Sequence, residues 1–232
     1  MSIDFSLFEK KAKLSFVDKN LLKQAFIHRS YINENPKIGL SHNERLEFLG
    51  DAVLELVVTE FLYKKYPEKA EGELTSYRSA LVNAIVLSEV ASELGMNEFL
   101  LLSKGEAKDT GKARQYILAN TIEALVGALY LDQGYERSSE FISSILFGRV
   151  DEIVEKRLWQ DAKSYVQEKA QEKFSVTPSY KVISEIGPDH DKQFTVGIYF
   201  GTGLVAEGKG KSKQEAEQKA AEKALKTNGW WD

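Results

Sequence analysis

Apolar residues recur every three or four positions over residues 1–150, and strand-like alternation is rare there. This spacing is typical of helices that bury one face. A long helix is predicted over residues 42–66, because Ser41 and Glu44 fit the capping box that begins many helices. Another helix is predicted over residues 115–132. We therefore expect an all-α domain in this part of the chain.

The last third of the chain contains segments with a period of about two residues, which is the repeat of a half-buried strand. Its elements are predicted in the order α-β-β-β-α. They are a helix over 163–174, strands over 180–186, 193–200 and 204–207, and an alanine-rich helix over 212–226. We assign residues 162–229 to a small α+β domain, so the fold is multidomain. The charged run at 151–161 is predicted as the linker, although its first part fits a helix end equally well.

Composition narrows the chemistry of the chain. It has no cysteine and three histidines, which excludes disulfides, thiolate-bound zinc and a cysteine nucleophile, so a metal would have to be bound through oxygen. The 31 basic and 35 acidic residues give a net charge of −4, and any surface for a polyanion must therefore be local. No leader is apparent, and Glu55 and Glu60 interrupt the apolar stretch at 52–63. We expect a cytoplasmic protein with no membrane partner and no organic cofactor.

Four carboxylates, Glu44, Glu47, Asp51 and Glu55, are spaced by three, four and four residues on the first predicted helix. At about 100° per residue they share one face. Such a stripe is common on the solvated side of surface helices. The other sides of this helix are largely apolar, which indicates a buried helix whose stacked carboxylates repel each other until a cation binds. Oxygen ligands favour Mg²⁺ or Mn²⁺.

Residues 43–51 read Asn-Glu-Arg-Leu-Glu-Phe-Leu-Gly-Asp, which resembles the signature of the ribonuclease III family without a break. Chance agreement over nine consecutive residues is negligible. Other segments resemble the rest of the family's catalytic domain in the expected order, at 25–31, 71–75, 104–106 and 117–132. The resemblance extends over nearly the whole chain.

This resemblance implies an all-α endonuclease domain that cleaves double-stranded RNA with Mg²⁺, for which Mn²⁺ is a plausible substitute. It assigns metal binding to Glu47, Asp51, Asn120 and Glu123, with Asp51 and Glu123 as catalytic residues. By spacing alone, Asn120 and Glu123 would be ordinary exposed residues on the second predicted helix. The resemblance also implies that water activated by the ion attacks phosphorus and leaves 5′-phosphate and 3′-hydroxyl ends.

The family domain is a homodimer whose signature helices face each other. The resemblance therefore implies one acidic cluster for each RNA strand and products with two-nucleotide 3′ overhangs. Phe48, Leu49 and Val53 are the predicted dimer contacts, although each of them fits the domain's own core at least as well. Processing of ribosomal or messenger RNA is the implied role.

Position 120 departs from the family pattern, which usually has Asp where this chain has Asn. An Asn carbonyl oxygen can still bind Mg²⁺, but the site loses one negative charge. Three explanations stay open: an active natural variant, a weakened enzyme that mainly binds RNA, and an engineered substitution. We favour the active variant because Glu47, Asp51 and Glu123 are all present. The alternative is a catalytically impaired double-stranded-RNA-binding dimer.

The α-β-β-β-α segment resembles a double-stranded-RNA-binding domain, which recognises A-form RNA by its shape. On composition alone, residues 208–213 fit a phosphate-binding turn and an ordinary turn with solvated lysines equally well. The resemblance assigns minor-groove contacts to Ser164, Gln167 and His190, and phosphate contacts to Lys211, Ser212 and Lys213. Gln214 and Glu217 stand where some relatives have lysine, so we expect modest affinity from this domain.

Overall fold

The computed structural model of the chain describes residues 3–37, 39–157, 159, 161–188 and 191–230. The chain divides into two compact units, Met1–Trp159 and Gln160–Asp232. The first unit is built from helices, and the second combines two helices with a three-stranded antiparallel sheet. The predicted fold class, an all-α domain followed by a small α-β-β-β-α domain, is confirmed.

Helices of very different length build the first unit. In chain order they are α1 (Phe5–Ala12), α2 (Lys19–Ala25), α3 (Arg29–Glu34), α4 (Glu44–Lys65), α5 (Glu71–Leu81), α6 (Ala84–Glu93), α7 (Lys112–Leu146) and α8 (Val150–Glu155). Short 3₁₀ turns lie at Met96–Phe99, Glu106–Lys108 and Phe147–Arg149. The long helices α4 and α7 pack on each other at the centre, and α2, α5 and α6 pack around them.

The buried faces of α4 and α7 are mainly aliphatic, because the residues that recur every three or four positions all point into the same core. Burying one side chain of this kind contributes about 1.5–3 kcal/mol. The largest fully buried members are Leu54 and Leu62 of α4, and Ile122, Leu125 and Leu129 of α7. Within the described residues, none of the helices is both long and apolar enough to cross a membrane.

Two glycines allow α4 and α7 to cross in backbone contact. A Cβ atom on Gly50 would lie 1.7 Å from the carbonyl oxygen of Glu123, and one on Gly127 would lie 2.2 Å from the carbonyl oxygen of Leu46. A side chain of any size would therefore force the helices apart. Each glycine costs its helix about 1 kcal/mol relative to alanine. In return, the close approach brings the polar residues beside the crossing together.

The capping box predicted at Ser41 and Glu44 is wrong. Helix α4 begins at Glu44, and its N-cap residue Asn43 makes no side-chain hydrogen bond to the helix. The buried side chain of Asn43 instead donates to the carbonyl oxygen of Ala25 at 3.0 Å. The backbone N–H of Asn43 donates to the carbonyl oxygen of Ile27 at 2.9 Å. A buried amide has to satisfy its donors inside the protein. These bonds fix the start of α4 against the end of α2.

The ends of the two long helices differ in how closely they follow the prediction. Helix α4 ends at Lys65, one residue before the predicted end. Helix α7 begins three residues earlier than predicted and continues to Leu146, but Gly134 interrupts it with φ 82° and ψ −171°. Just before this break, Asp132 accepts two backbone N–H groups from the segment that precedes α2, both at 2.8 Å. The Asp132 carboxylate therefore joins this segment to α7.

The charged run at 151–161, predicted as a linker, begins inside helix α8. Val150 and Ile153 of this helix are buried in the core of the first unit. Trp159 also packs there, with its ring edge-on to Tyr77 and 4.9 Å between the ring centres. The charges of the run lie on the exposed side of an amphipathic helix, and the first unit extends to residue 159.

The second unit packs two helices against a three-stranded sheet. Its elements are α9 (Ala162–Phe174), β1 (Ser179–Ile186), β2 (Gln193–Phe200), β3 (Gly203–Gly210) and α10 (Lys213–Thr227). The strand order is β1-β2-β3, and both pairs are antiparallel. Val166 of α9, Ile198 of β2 and Leu225 of α10 are fully buried in its small core.

The glycines before α10 belong to strand β3, which is three residues longer at its end than predicted. A Cβ atom on Gly208 would lie 2.2 Å from both the Ala216 carbonyl oxygen and the Ala220 nitrogen, and one on Gly210 would lie 2.7 Å from the Ala216 nitrogen. Helix α10 therefore lies directly on β3. These glycines allow the close packing of α10 on β3. The turn between the strand and the helix consists of Lys211 and Ser212 alone.

We expect Gly50→Ala to destabilise the first unit by about 3 kcal/mol or more, because the new Cβ atom would overlap the Glu123 carbonyl group. Urea unfolding of the full chain, followed by helical circular dichroism, measures the loss. Gly72→Ala is the matched control, since Gly72 also lies in a helix and a Cβ atom there meets nothing within 4 Å. That change is expected to stabilise the protein by up to about 1 kcal/mol. Equal stability of Gly50→Ala and the parent chain would contradict the close crossing.

Candidate active site and nucleic-acid interface

Acidic and amide side chains from α4 and α7 meet beside the glycine crossing. Glu47 and Asp51 flank Gly50 on α4, and Asn120 and Glu123 lie one turn apart on α7. The negative charges of Asp51 and Glu47 act on Glu123, and the Asn120 amide lies close enough to the Glu47 carboxylate to lower its pKa. The structure therefore places all four residues that the resemblance assigns to the metal site around this helix crossing.

Glu123 is the carboxyl group that this environment perturbs most. Burial raises the pKa of Glu123 to about 8, and the negative charges of Asp51 and Glu47 add to the shift. The carboxyl group therefore holds a proton at neutral pH as long as no cation compensates its neighbours. A positive charge placed between these groups would stabilise the ionised form and release the proton.

Glu47 is half-buried, and its pKa is also raised. Burial is the main cause and the charge of Glu44 adds to it. The neighbouring Asn120 amide lowers the pKa because it stabilises the ionised form, and Asp51 contributes a small further increase. An ionised aspartate at position 120 would repel Glu47 instead. The amide of Asn120 therefore stabilises the ionised form of Glu47, which an aspartate at this position would destabilise.

The predicted stripe of four carboxylates on α4 divides in the structure. Glu44 is exposed and faces two basic side chains, with its carboxylate 3.7 Å from Arg29 and 3.6 Å from His42. Glu55, at the other end of the stripe, is exposed to solvent. The two carboxylates between them are the ones that face the polar residues of α7.

This cluster has the donor chemistry of a site for a hard divalent cation. Glu47, Asp51 and Glu123 offer carboxylate oxygens and Asn120 offers an amide oxygen, a set that suits Mg²⁺ or Mn²⁺. Over the part of the chain that the structure describes, no three His, Cys, Asp or Glu side chains already converge closely enough to hold an ion. The cluster therefore fits such an ion in composition and charge, and its side chains would have to draw together around it.

The three predicted dimer contacts differ in their exposure. Phe48 is 82% exposed, which is rare for a phenylalanine side chain. Leu49 is half-buried and packs against the core of its own unit. Val53 is only 6% exposed and belongs to that core, so the structure favours the core alternative for this residue.

At the start of α10 the side chain of Ser212 has a structural function. Its hydroxyl oxygen accepts the backbone N–H of Glu215 at 3.1 Å, and the Glu215 carboxylate accepts the backbone N–H of Lys211 at 2.8 Å. The two residues thus cap the helix reciprocally. The side chains of Lys211 and Lys213 stay exposed beside the positive end of the helix, where a phosphate group is attracted.

The predicted minor-groove residues of α9 lie at the surface of the second unit. Ser164 and Gln167 are exposed about one turn apart and line a shallow groove of about 650 Å³. His190, the third of them, lies outside the described residues. Glu217, which the sequence predicts to weaken RNA binding, forms an ion pair with Lys163 of α9 at 2.5 Å. Its negative charge is therefore compensated within the domain.

The sequence predicts the polar members of the acidic cluster, but it does not single out Gly127, which helps to bring them together. Gly127 lies four residues after Glu123 and within the apolar stripe of α7. Its signal in the sequence is indirect: a glycine in the interior of a long apolar helix is unfavourable unless another backbone approaches it. A second such glycine, Gly50, occurs in the other long helix.

Comparison with known proteins places both units in families. The Ribonuclease-III-like family model matches residues 18–150, and the double-stranded RNA binding motif model matches residues 162–228. Ribonuclease 3 of Borreliella burgdorferi is 46% identical over 95% of this chain and 90% of its own length. Ribonuclease 3 of Enterococcus faecalis is 46% identical over 91% of this chain and 92% of its own length.

A solved structure supports the same relation for the first unit. The nuclease domain of ribonuclease III from Campylobacter jejuni is 38% identical and superposes with a TM-score of 0.55, covering 61% of this chain and 98% of that domain. Sequence likeness over nearly the full length thus agrees with likeness of the nuclease fold. The chain therefore belongs to the ribonuclease III family of endoribonucleases, with a double-stranded-RNA-binding domain after its nuclease domain.

Proposed function

We propose that this chain is a Mg²⁺-dependent endoribonuclease that hydrolyses phosphodiester bonds of double-stranded RNA and leaves 5′-phosphate and 3′-hydroxyl ends. The observation that carries the proposal is the cluster at the α4–α7 crossing, where the charges of Glu47 and Asp51 act on the half-buried Glu123. Phosphodiester hydrolysis needs positive charge next to the phosphate oxygens and a nucleophilic water. A cluster that binds a hard dication meets both needs without a serine or histidine nucleophile.

The residues of the cluster have distinct functions in this proposal. The carboxylates of Glu47, Asp51 and Glu123 and the carbonyl oxygen of Asn120 would hold Mg²⁺, or Mn²⁺ in its place. When bound, the ion supplies charge neutralisation at the phosphate and a more acidic water. Glu123 gives up the proton that it holds in the ion-free protein, and the Asn120 amide stabilises the ionised Glu47. We assign catalysis to Asp51 and Glu123, one from each helix.

The second unit, in this proposal, holds the RNA duplex by its shape. Ser164 and Gln167 on the exposed side of α9 contact the minor groove, and Lys211 and Lys213 contact phosphates. His190 stays a prediction. None of these contacts reads base edges in the major groove, so binding is expected to depend little on sequence. Ribosomal and messenger RNAs in the cytoplasm are the substrates that the family resemblance implies.

We further propose a homodimer in which the α4 helices of two copies face each other. Phe48 follows Glu47 directly and is exposed in the single chain, so a second copy that covers it would lie next to the acidic cluster. Leu49 borders the same contact. Two-fold symmetry then provides two clusters, one for each RNA strand, and staggered cuts would leave two-nucleotide 3′ overhangs. The solved Campylobacter jejuni nuclease domain is described as having a region involved in dimer formation.

The alternative function is a catalytically impaired dimer that binds double-stranded RNA. The observation that favours it is Asn120, which leaves the cluster with one carboxylate fewer than the family pattern. Fewer negative charges mean weaker attraction for a dication. The proximity of the Asn120 amide to Glu47 supports the active enzyme instead, because the amide stabilises the ionised form of that carboxylate.

Glu123→Gln removes one carboxylate from the site with little change in shape. We expect Mg²⁺-dependent cleavage of a long RNA duplex to fall by roughly 10²–10³-fold or more, because the neutral amide no longer stabilises the ion. Binding of the uncut duplex, measured by gel shift, is expected to be unchanged. Cleavage at the parent rate by this variant would contradict the assignment.

The same cleavage assay on the parent chain and Asn120→Asp separates the proposal from its alternative. Cutting by both proteins supports the active enzyme. Cutting by Asn120→Asp alone, with duplex binding by both, supports the impaired binding protein.

In ion-free buffer, Glu123→Gln is expected to be more stable than the parent at alkaline pH. The pKa of Glu123 is about 8 in the folded protein and has its ordinary value of 4.5 in the unfolded chain. Between these two pH values the folded protein holds a proton on Glu123 that the unfolded chain does not. The contribution of this proton to the free energy of unfolding is therefore complete below pH 4.5 and is lost as the pH rises through 8.

Glutamine cannot ionise and avoids this loss. We expect the free energy of unfolding of Glu123→Gln to exceed that of the parent at alkaline pH by about 1–2 kcal/mol. This figure is reduced from the full pKa shift because part of the Glu123 side chain is solvated. Urea unfolding of both proteins in the presence of a chelator, at about pH 5 and about pH 9, measures it. A difference that does not grow with pH would show that Glu123 is not perturbed.

Phe48→Glu introduces a charge into the proposed dimer contact. We expect it to convert the dimer into monomers in sedimentation at micromolar concentration, because burying an unpaired carboxylate costs several kcal/mol. Leu7→Glu is the matched control, since Leu7 is also exposed, at 56%, but lies on α1. A Phe48→Glu protein that stays dimeric would rule out this contact.

A further inference from the structure

The polar stripe of α7 continues beyond the acidic cluster toward the start of the helix. Lys112, Tyr116, Asn120 and Glu123 are spaced by four, four and three residues and therefore lie on one face. Lys112 is exposed, and Tyr116 is 51% exposed. At about 1.5 Å per residue, Tyr116 lies about 6 Å and Lys112 about 12 Å from Asn120 along the helix axis. An exposed aromatic ring and an exposed cation thus extend the site along α7.

Lys112 and Tyr116 also contact each other. The Nζ atom of Lys112 lies 6.0 Å from the centre of the Tyr116 ring. A cation over a ring face restrains both side chains without burying either of them. The pair therefore presents a positive charge and a flat apolar surface side by side, in line with the acidic cluster.

The segment that leads into α7 is locally basic. Residues 104–114 contain four basic and two acidic residues, a net charge of +2 in a chain of net −4. The basic members are Lys104, Lys108, Lys112 and Arg114, of which the three lysines are exposed. A positive surface therefore lies next to an acidic site that an RNA strand has to approach.

This basic segment is fixed to the first unit by hydrogen bonds. The Arg114 guanidinium donates to the Asn97 side chain and to the Glu106 carbonyl oxygen, both at 2.7 Å. The backbone N–H of Ser103 donates to the Ser30 hydroxyl oxygen at 3.0 Å. The positions of Lys112 and Tyr116 relative to Asn120 and Glu123 are thus set by the fold and by the part of α7 that precedes the break at Gly134.

We propose that Lys112 and Tyr116 bind the RNA strand beside the phosphate that is cleaved. Lys112 contacts a neighbouring phosphate, and the Tyr116 ring packs against an adjoining ribose, because the bases of a duplex are stacked inside and its riboses face outward. A polyanion fits this surface better than a protein partner, since the segment is positive. The acidic cluster by itself would repel an RNA strand, and the positive segment offsets that repulsion. The inference rests on the proposed function and deepens it by naming a substrate contact of the nuclease unit.

The test measures RNA affinity in the full-length Glu123→Gln protein, which is not expected to cut its ligand. A fluorescent RNA duplex is titrated by anisotropy in Mg²⁺ at several salt concentrations. We expect Tyr116→Ala and Lys112→Gln each to weaken binding by about 3–10-fold, and Tyr116→Phe to bind as the parent does. Lys112→Gln is also expected to reduce the slope of log affinity against log salt by about 0.7–0.9, whereas Tyr116→Ala leaves the slope unchanged.

Two matched controls remove similar side chains from other helices. Tyr63→Ala deletes a tyrosine that is 72% exposed near the end of α4, and Lys10→Gln deletes an exposed lysine of α1. Both are expected to bind as the parent does. If they weaken binding as much as the Tyr116 and Lys112 variants, the effect is not local and the proposal is overturned.

Further outcomes separate this proposal from the function on which it rests. A parent protein that binds the duplex while Tyr116→Ala and Lys112→Gln bind it equally well overturns the proposal and leaves the function intact. A parent that binds no duplex at all overturns both. If Tyr116→Ala weakens binding only because sedimentation shows loss of the dimer, the ring belongs to a protein contact and the proposal is overturned.

Discussion

The backbone contact between α4 and α7 determines where the functional side chains of the nuclease unit can lie. Helices that meet through ordinary side chains keep their axes about 8–10 Å apart. Here the Glu123 carbonyl group occupies the space that a Cβ atom on Gly50 would need, and Gly127 admits the Leu46 carbonyl group in the same way. Glu47 and Asp51 lie three residues before and one residue after Gly50. Their charges reach Glu123 because no side chain separates the two helices at this point.

The same contact creates electrostatic repulsion among half-buried and exposed carboxylates at the edge of an aliphatic core. Glu47 and Glu123 both have raised pKa values, chiefly because burial disfavours their ionised forms, and neighbouring carboxylates add to the effect. The surrounding Leu, Ile and Val side chains provide the stability that tolerates this local cost. A divalent cation would neutralise this repulsion and stabilise the ionised carboxylates. The repulsion among these carboxylates thus occurs at the site where the proposed chemistry needs a strong attraction for positive charge.

Periodicity predicts the elements of this chain well, because burying one face of a helix or strand is a local requirement. The long helices, the three strands and the carboxylates that face α7 follow from it. The errors concern residues whose partners are distant in the sequence. Asn43 bonds to the end of α2 rather than capping α4, and Gly208 serves contact with α10 rather than a loop. For the charged run after residue 150 the sequence left a linker and a helix end open, and its first part is helical because Ile153 is buried in the core. No local pattern specifies such partners.

An acidic cluster that acts on RNA must attract a dication and still tolerate a negatively charged RNA strand. Asn120 and the basic start of α7 both affect this balance. Each added carboxylate strengthens the first attraction and increases the repulsion of phosphates. With Asn at position 120 the cluster has three carboxylates, the amide oxygen would still be available as a ligand, and the amide lowers the pKa of Glu47. In our proposal, Lys112 then offsets the remaining repulsion from two turns away on the same helix face. Because α7 carries both groups, the distance between the acidic cluster and the positive charge is fixed by the helix itself.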